Sequence, residues 1–278
     1  MRSRIMRLLR GRVIMVISKK SKLIILKSLI AISVVAIGFS SYKIYTLKKE
    51  EIDNTQSYDK VKMLYSNSSD DSSTVEIDID SDGDSEQVRT YLLDLYDENN
   101  DFRGWLNIPG TTIDFPVVQA DLSDPYHYLN YDFYNGYNTF GCPFIGAGDD
   151  IYSNNIIIYG HHYRGGNKFT PLDGYVDQEF VNNHRYITLE TLDQSHTYEV
   201  YCVFRMSMSY RTWMWDQEFD FPTEADFDAF IANCEEYNEI SPLIEPEYGD
   251  HFVTLVTCNY SSDNARLVVI GCEHSASN

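Results

Sequence analysis

Hydrophobic and polar positions divide the chain into three regions. Residues 28–47 form an apolar stretch, SLIAISVVAIGFSSYKIYTL, whose length is near the lower limit for a helix that spans a bilayer. Residues 48–85 are rich in Asp, Ser and Asn, which predicts a solvated, flexible linker. In residues 86–278, short apolar runs alternate with turn residues, and this region is expected to be the folded domain.

Seven short runs in the C-terminal region predict β-strands. β-branched and aromatic residues dominate these runs, and clusters of Gly, Pro, Asn and Asp separate them. Strands at this density are typical of an antiparallel barrel or sandwich. The runs read GWLNIP, DFPVVQ, NIIIYG, YITLE, TYEVYCVFRM, HFVTLVTC and RLVVIGC.

Two segments have the spacing of amphipathic helices. The first, SEQVRTYLLDLYDENNDF, places Leu92 and Leu95 on one side, and Ser85 is its expected N-cap. The second, TEADFDAFIANCEEYNEI, precedes the HFVTLVTC run and has Thr223 as its expected N-cap. The apolar positions of this second helix are Phe227, Phe230, Ile231 and Cys234.

Charge is distributed unevenly along the chain. The first 49 residues carry 12 of the 22 Lys and Arg residues and none of the 42 Asp and Glu residues. The formal net charge of −20 argues against nucleic acid as a partner. Because basic residues precede the apolar stretch, the positive-inside rule places residues 1–27 in the cytoplasm. We therefore expect an uncleaved anchor with the bulk of the chain outside the cell; a signal peptide is the alternative interpretation.

No motif in the sequence predicts a metal site. The acidic run DIDSDGDSE begins with the offsets of a calcium-binding loop, but the twelfth loop position is Arg89 rather than Glu. A flexible acidic tether is the preferred interpretation. The five cysteines form no CxxC pair and no metal-ligand spacing with histidine. Disulfides are possible outside the cell, but the odd count leaves at least one thiol free.

A candidate for acyl-transfer chemistry lies near the C-terminus. Cys258 stands at the end of a predicted strand, and Arg266 follows eight residues later. A second strand, NIIIYG, delivers His161 into a Gly-rich loop. A thiol and an imidazole are the minimal pair for acyl transfer, because the thiolate is the nucleophile and a nearby imidazole helps to form it. A guanidinium would add donors for a developing oxyanion. For any lone cysteine, the competing interpretation is a small buried hydrophobic residue.

These motifs, in this order along the chain, resemble those of sortases. TLVTC with Arg266 after it, and YGHH well upstream, carry the resemblance to the family. Two further features resemble class B sortases specifically. One is the run GWLNIPGTTIDFPVVQ followed by YLNYDF, and the other is the helix before the cysteine strand. The resemblance covers residues 86–272, which is nearly the whole extracellular part.

The resemblance implies a mainly β fold: a sortase-type eight-stranded β-barrel with an N-terminal helix and an extra helix before the cysteine strand. It also implies a cysteine transpeptidase on the outer face of a Gram-positive membrane. Such an enzyme cleaves a C-terminal sorting signal of secreted proteins and transfers the acyl group to a cell-wall amine, either a peptidoglycan precursor or a pilin amine. No metal or organic cofactor is implied.

The resemblance also assigns roles to single residues. Cys258 matches the nucleophile, Arg266 the arginine of the family pattern, and His161 the catalytic histidine. His161 is preferred to His162 because the family histidine follows the glycine directly.

Three further residues are candidates for substrate binding, namely Tyr159, Val256 and Thr257. Val256 occupies a position where class B sortases often have serine, and strand alternation places it on the same side as Cys258. The pocket beside the thiol is therefore expected to be more apolar than usual. Burial in the barrel is the competing interpretation for Tyr159, and Thr257 is expected to be structural with a secondary contact role.

Other polar and aromatic residues are weaker candidates. Core packing is the favoured interpretation of Trp213 and Trp215, with a substrate groove as the alternative. Solvated surface charge is favoured for four cations that could otherwise anchor an anionic precursor, namely Arg164, Lys168, Arg205 and Arg211. Asp114 and Asp121 are available to orient His161, but nothing in their spacing requires it.

Two rival functions stay open on the sequence alone. An extracellular cysteine peptidase would resolve the acyl-enzyme with water, and the same groups would perform its first half-reaction. A catalytically silent surface-binding module on an acidic stalk is the third possibility. The presence of all three motif residues argues against a silent module.

Overall fold

The computed structural model describes residues 19–68, 74–78, 85–163, 168–259 and 264–273. The chain forms two compact units, Met1–Lys49 and Glu50–Asn278. The α-helices in the described residues are α1 (Lys19–Ser68), α2 (Thr90–Glu98), α3 (Gln178–Asn183) and α4 (Glu224–Tyr237). The strands are β1 (Thr74–Asp78), β2 (Ser85–Arg89), β3 (Phe102–Asn107), β4 (Asp114–Gln119), β5 (Phe144–Ile145), β6 (Asn155–Tyr159), β7 (Tyr186–Thr191), β8 (Ser195–Ser207), β9 (His251–Asn259) and β10 (Ala265–Glu273).

Strands β3 to β10 form a closed barrel in the order β10-β8-β7-β3-β4-β5-β6-β9. Most neighbours are antiparallel, but β4 pairs with β5 and β6 pairs with β9 in parallel. The β6–β9 register aligns Tyr159 with Val256, so the C-terminal ends of both strands lie side by side at one end of the barrel. The eight-stranded barrel with an N-terminal helix confirms the expected fold class.

Side-chain alternation along the strands separates the barrel interior from the layers outside it. On β9 and β10, Val253, Leu255, Leu267 and Val269 belong to the interior core. Their neighbours on the other face, such as Val256, belong to an outer apolar cluster that also contains side chains of α4. A second outer cluster packs α1 and α2 residues against β3 and β4. Burial of these apolar surfaces is the main favourable term in folding.

Helix α4 begins with a capping box. Thr223 Oγ1 accepts a hydrogen bond from the backbone N–H of Asp226 at 3.3 Å, and the Thr223 N–H donates to Asp226 Oδ2 at 3.1 Å. The helix buries Phe227, Phe230 and Cys234 against the barrel. Both the cap and the buried face agree with the sequence prediction.

The structure differs from the flexible linker expected at residues 48–85. Helix α1 continues into this region and packs against the barrel: Val61 is 1% exposed, and Tyr65 stacks on Trp105 with ring centroids 4.1 Å apart. Tyr58, Val61 and Tyr65 recur every three or four residues and form one apolar face. The polar residues around this narrow face made the segment resemble a linker. The folded unit therefore begins well before residue 86.

The predicted start of the first amphipathic helix is also wrong. Strands β1 and β2 pair as an antiparallel two-stranded sheet, so the residues from Ser85 join a strand instead of a helix. Helix α2 begins at Thr90, and Arg89 is its N-cap residue without a side-chain cap hydrogen bond. Leu92 and Leu95 are fully buried, as their spacing predicts. Much of the acidic run considered as a calcium loop lies outside the described residues.

Part of α1 has the properties of a membrane-spanning helix. Within the described residues, Lys20–Ser66 is the one helix that is long and apolar enough to cross a membrane, and its most apolar window is not buried by protein. Among the exposed apolar residues of this segment are Ile30, Val35 and Phe39. The helix is compatible with the expected anchor at residues 28–47.

Candidate active site

The ends of β6, β9 and β10 carry the three predicted catalytic residues. Cys258 on β9 and Arg266 on β10 are direct cross-strand partners in an antiparallel pair. His161 lies two residues after the end of β6, and β6 is the other neighbour of β9. His161 therefore lies at the same end of the barrel as Cys258 and Arg266, which are about a hundred residues further along the chain.

Two hydrogen bonds hold the end of β6 to β9. The Gly160 N–H donates to the Val256 carbonyl oxygen at 3.0 Å, and Thr257 Oγ1 donates to the Gly160 carbonyl oxygen at 2.8 Å. Position 160 requires glycine, because a Cβ there would lie 2.6 Å from the Phe169 ring. This close packing fixes the backbone immediately before His161.

One cavity of about 400 Å³ is lined by Cys258, His161 and Arg266 together. This volume is within the range of small-ligand and peptide side-chain pockets. The rest of its wall is mostly apolar or aromatic and includes Leu129, Phe144, Tyr159, Met208, Trp215 and Val256. The cavity thus places a few polar groups in an otherwise apolar surface.

Cys258 differs from the other four cysteines in its accessibility. It is partly exposed, whereas Cys142, Cys202, Cys234 and Cys272 are buried. Burial raises the pKa of Cys142 to about 12, and it also raises the pKa values of Cys234 and Cys272. A nucleophilic cysteine needs both access and an available thiolate. The structure therefore leaves Cys258 as the candidate nucleophile among the five.

A backbone carbonyl orients the His161 ring. Its Nε2 lies 2.7 Å from the carbonyl oxygen of Leu129. A carbonyl can only accept, so Nε2 carries the hydrogen, and Nδ1 is the nitrogen left to exchange a proton. His162 behaves differently: its Nε2 pairs with Asp173 Oδ2 at 2.5 Å, and its side chain is 8% exposed. The cavity is lined by His161 and not by His162.

Arg266 points outward from β10 and is half-buried beside the cavity. Its Nη1 donates to the carbonyl oxygen of Ala265 at 3.1 Å and to Asn264 Oδ1 at 3.3 Å. Both acceptors are neutral, and none of the ion pairs among the described residues involves this guanidinium. Its positive charge is therefore available to a developing anion.

The three predicted substrate-binding residues line the same cavity. Tyr159 packs against both outer clusters, and its ring stacks on Phe144 with centroids 5.5 Å apart. Burial raises the pKa of Tyr159 well above its ordinary value, so the phenol is neutral. Val256 is 1% exposed and adds apolar wall beside Cys258. Thr257 is buried, and its hydroxyl is engaged with the β6 end, which is a structural role.

Two adjacent residues in the β8–α4 connection, Trp215 and Asp216, also line the cavity. Among the described residues, Trp215 Nε1 and Asp216 Oδ1 are buried without a hydrogen-bond partner, and Asp216 Oδ2 accepts from Arg211 at 2.5 Å. Trp213 is different, because it does not line the cavity and stacks on Tyr237 in the α4 layer. Both tryptophans are buried in the same outer apolar cluster, which agrees with the expected core packing, and Trp215 also forms part of the cavity wall. Sequence reasoning missed Asp216, although the run TWMWDQE contains it.

Of the four cations considered as anion anchors, the three in the described part of the chain are paired or buried. Arg205 pairs with Glu239 at 2.5 Å, and Arg211 pairs with Asp216. Lys168 is only 5% exposed, so the expectation of a solvated charge is wrong for it. Arg164 lies outside the described residues.

The two aspartates considered as partners of His161 have other roles. Asp114 accepts a hydrogen bond from Trp105 Nε1 at 2.7 Å, and Asp121 accepts one from the Ser123 N–H at 2.7 Å. Neither residue lines the catalytic cavity. Within the described part of the chain, no group of three or more His, Cys, Asp and Glu side chains is arranged to hold a metal ion.

Comparison with known proteins agrees with this architecture. A family model of the sortase domain matches residues 106–273. Sortase B of Listeria monocytogenes is 27% identical over 249 residues, which is 88% of this chain and 95% of that protein. The X-ray structure of Clostridium perfringens sortase B has a TM-score of 0.60 at 28% identity and covers 66% of this chain and 99% of its own. A Staphylococcus aureus sortase B–substrate complex has a TM-score of 0.66 at 24% identity, with 83% and 98% covered.

A partly exposed thiol in one cavity with an imidazole and a guanidinium is the arrangement that cysteine acyl transfer requires. The matched domain spans more than half of the chain and nearly the whole barrel. The chain therefore belongs to the sortase family of cysteine transpeptidases. Its relatives are sortase B proteins, which confirms the class B resemblance seen in the sequence.

Proposed function

We propose that this sortase is a membrane-anchored enzyme that cleaves a C-terminal sorting signal of secreted proteins and transfers the acyl group to a cell-wall amine. The observation that supports the proposal is the shared cavity of Cys258, His161 and Arg266. Each supplies one function that acyl transfer needs: a nucleophile, a proton carrier and an oxyanion ligand.

In the first half-reaction, the Cys258 thiolate attacks the carbonyl carbon of the scissile peptide bond, a Thr-Gly or similar bond of the sorting signal. The Arg266 guanidinium binds the oxyanion that develops on the carbonyl oxygen. The C–N bond then breaks, and the leaving amine takes a proton from Nδ1 of the protonated His161 ring. The product is a thioester on Cys258, and the hydrogen bond to Leu129 keeps the ring oriented during the transfer.

In the second half-reaction, an amine replaces the thiolate. The amine nitrogen attacks the thioester carbonyl carbon, gives a proton to neutral His161, and forms the new amide as the C–S bond breaks. A peptidoglycan precursor or a pilin subunit would supply this amine. Tyr159 and Val256 would contact the sorting peptide beside the thiol, because both line the cavity wall, with Thr257 in a supporting position.

The proposed membrane topology of the protein is based on helix α1. Residues 28–47 would cross the membrane, residues 1–27 would remain in the cytoplasm, and the catalytic unit would face the cell wall. The apolar helix and the basic residues before it support this arrangement.

The decisive test uses the full-length protein in detergent micelles, a small library of sorting-motif peptides, and triglycine as the amine. We expect an amide product from the wild-type enzyme and none from Cys258→Ala. Cys142→Ala is the matched control, because that thiol is buried away from the cavity and its loss should leave product formation in place. Amide formation by Cys258→Ala would refute the assignment of the nucleophile.

The same assay separates transpeptidation from the alternative function, an extracellular cysteine peptidase. Hydrolysis products alone, at every triglycine concentration, would favour the peptidase, because water would then resolve the thioester. If the share of the thioester that is converted to amide rises with amine concentration, the result supports the transpeptidase.

A further inference from the structure

Lys168 and Phe169 pair with the two histidines that follow β6. The Phe169 N–H donates to the His161 carbonyl oxygen at 3.0 Å, and His162 forms an isolated antiparallel bridge with Lys168. Lys168 has a φ of 59°, in the left-handed region that non-glycine residues rarely adopt. The surrounding structure must therefore hold this residue in place.

The Lys168 side chain is buried, and its ammonium group lies close to two aromatic rings. Its exposure is 5%, and Nζ lies 5.1 Å from the centre of the Phe115 ring and 5.8 Å from that of Tyr58. An ammonium over a ring face at this distance is stabilised by the ring quadrupole. Burial lowers the pKa of Lys168, while Cys142 and Asp132 oppose that shift. A lysine at a buried site costs stability unless such contacts compensate for its desolvation.

One of the two rings belongs to α1. Tyr58 packs against Phe115 with ring centroids 4.9 Å apart. Its neighbour Ser57 donates from Oγ to Asp132 Oδ2 at 2.9 Å. The same Asp132 interacts electrostatically with Lys168. Helix α1 and the barrel therefore both contribute contacts to the buried lysine.

We propose that Lys168 is a positioning residue that couples the docking of α1 residues 50–66 to the orientation of His161. The Lys168 side chain, held against the rings of Tyr58 and Phe115, fixes one end of the loop, and the hydrogen bond between Phe169 and His161 transmits that position to the histidine backbone. This inference rests on the proton-transfer role of His161 proposed above. The nucleophile is outside this coupling, because Cys258 is held by the β9–β10 register.

The test compares three variants of the full-length enzyme in the peptide–triglycine assay. Lys168→Met keeps an unbranched side chain only one atom shorter and removes its charge, and Tyr58→Leu removes the α1 ring. Lys62→Met is the matched control, because Lys62 also joins α1 to the barrel, through an ion pair with Asp114 rather than with a described residue of the loop. A misplacement of a catalytic group by about 1 Å can reduce the rate by about 100-fold, so we expect kcat to fall by about 10- to 100-fold in Lys168→Met.

The accompanying readouts separate positioning from simple destabilisation. In Lys168→Met, KM should stay within about twofold and the acidic limb of the pH profile of kcat/KM should shift, because proton transfer rather than peptide binding is affected. Tyr58→Leu should show a smaller change of the same kind, Lys168→Arg should restore part of kcat, and Lys62→Met should retain normal kcat. Wild-type kcat in Lys168→Met, or an equal loss in Lys62→Met at equal Tm, would overturn the inference.

The inference and the proposed function fail differently. If His161→Ala retains full activity, the catalytic role of His161 is wrong, and the orientation of His161 by Lys168 cannot affect the rate. If His161→Ala is inactive while Lys168→Met is normal, only the coupling is wrong.

Discussion

At the residue scale, the catalytic candidates are distinguished by their surroundings. Cys258 shares its chemistry with four other cysteines, but only its side chain is both partly exposed and in the cavity. The motif spacing identified Cys258, His161 and Arg266. No sequence signal identifies the Leu129 carbonyl that orients the imidazole, because every residue carries a carbonyl group and only the fold brings one within 2.7 Å. The burial of Lys168 likewise depends on an α1 that the sequence did not predict to dock.

Arg266→Lys tests the oxyanion role at the residue scale. Lysine preserves the positive charge, but its compact ammonium cannot reproduce the planar, multiply donating guanidinium. We expect kcat to fall by about 100-fold, similar to the loss of one oxyanion donor, with little change in KM. Steady-state kinetics with the preferred sorting peptide provide the measurement. Near-normal turnover would contradict the oxyanion role.

Val256→Ser tests whether the apolar wall beside the thiol sets the peptide preference. Val256 is buried and lines the cavity, and serine would place a hydroxyl where the wall is now apolar. We expect the ranking of sorting peptides to change toward those with a polar side chain at the contacting position, by about 1 to 3 kcal/mol in kcat/KM ratios. A competition assay with the peptide library measures this ranking. An unchanged ranking and rate would exclude a specificity role for Val256.

At the element scale, apolar alternation predicted the strands well and the short or unusual elements poorly. All seven predicted runs are strands of the barrel. The eighth, β5, has two residues, which is too short for a periodic signal. Helix α4 was predicted with its cap because a capping box is a local feature. The start of α2 was not, because strand pairing with β1 competes for the residues from Ser85 to Arg89.

Asp149, in the connection between β5 and β6, should make the free energy of unfolding depend on pH. Asp149 is 5% exposed, accepts hydrogen bonds from the N–H groups of Ile157 at 2.6 Å and Asp150 at 2.8 Å, and burial raises its pKa to about 7. Between pH 5 and 8 the unfolded chain is already ionised at this residue, while the folded protein loses its proton. The free energy of unfolding should therefore fall as pH rises, by roughly 2 to 3 kcal/mol from this group.

Urea unfolding at pH 5 and pH 8 measures this effect. Asp149→Asn mimics the protonated acid and cannot ionise, so the variant should show a smaller fall in the free energy of unfolding between these two pH values. An equal fall in both proteins would show that other groups cause it.

At the scale of the whole molecule, composition predicted an apolar N-terminal segment, which is helical, but misplaced the boundary of the folded unit. The basic and apolar N-terminal region was evident from charge and hydropathy. The acidic segment after it was expected to be a linker, yet its first part is a helix that packs on the barrel. The composition of a segment gives the average polarity of all its residues, whereas packing depends on the residues of one helix face. Three apolar positions are enough to form such a face on α1.

Truncation tests the position of this boundary. A chain that begins at residue 50 should unfold at nearly the midpoint temperature of the full catalytic unit, because it retains Tyr58, Val61 and Tyr65. A chain that begins at residue 69 loses their packing, which we expect to cost about 3 to 6 kcal/mol and to lower Tm by about 10 °C. Thermal unfolding followed by circular dichroism provides the comparison. Equal Tm values for the two chains would show that α1 does not stabilise the barrel.

The parallel pairing of β6 with β9 has a consequence for biosynthesis. Thr257 and Gly160, which join the histidine and cysteine strands, are 97 residues apart in the chain, so this contact forms only after most of the domain has been synthesised and has folded. Until then the sulfur has no neighbouring imidazole or cavity, so the incompletely folded chain lacks the groups that acyl transfer needs. The architecture therefore delays reactivity until the barrel has folded.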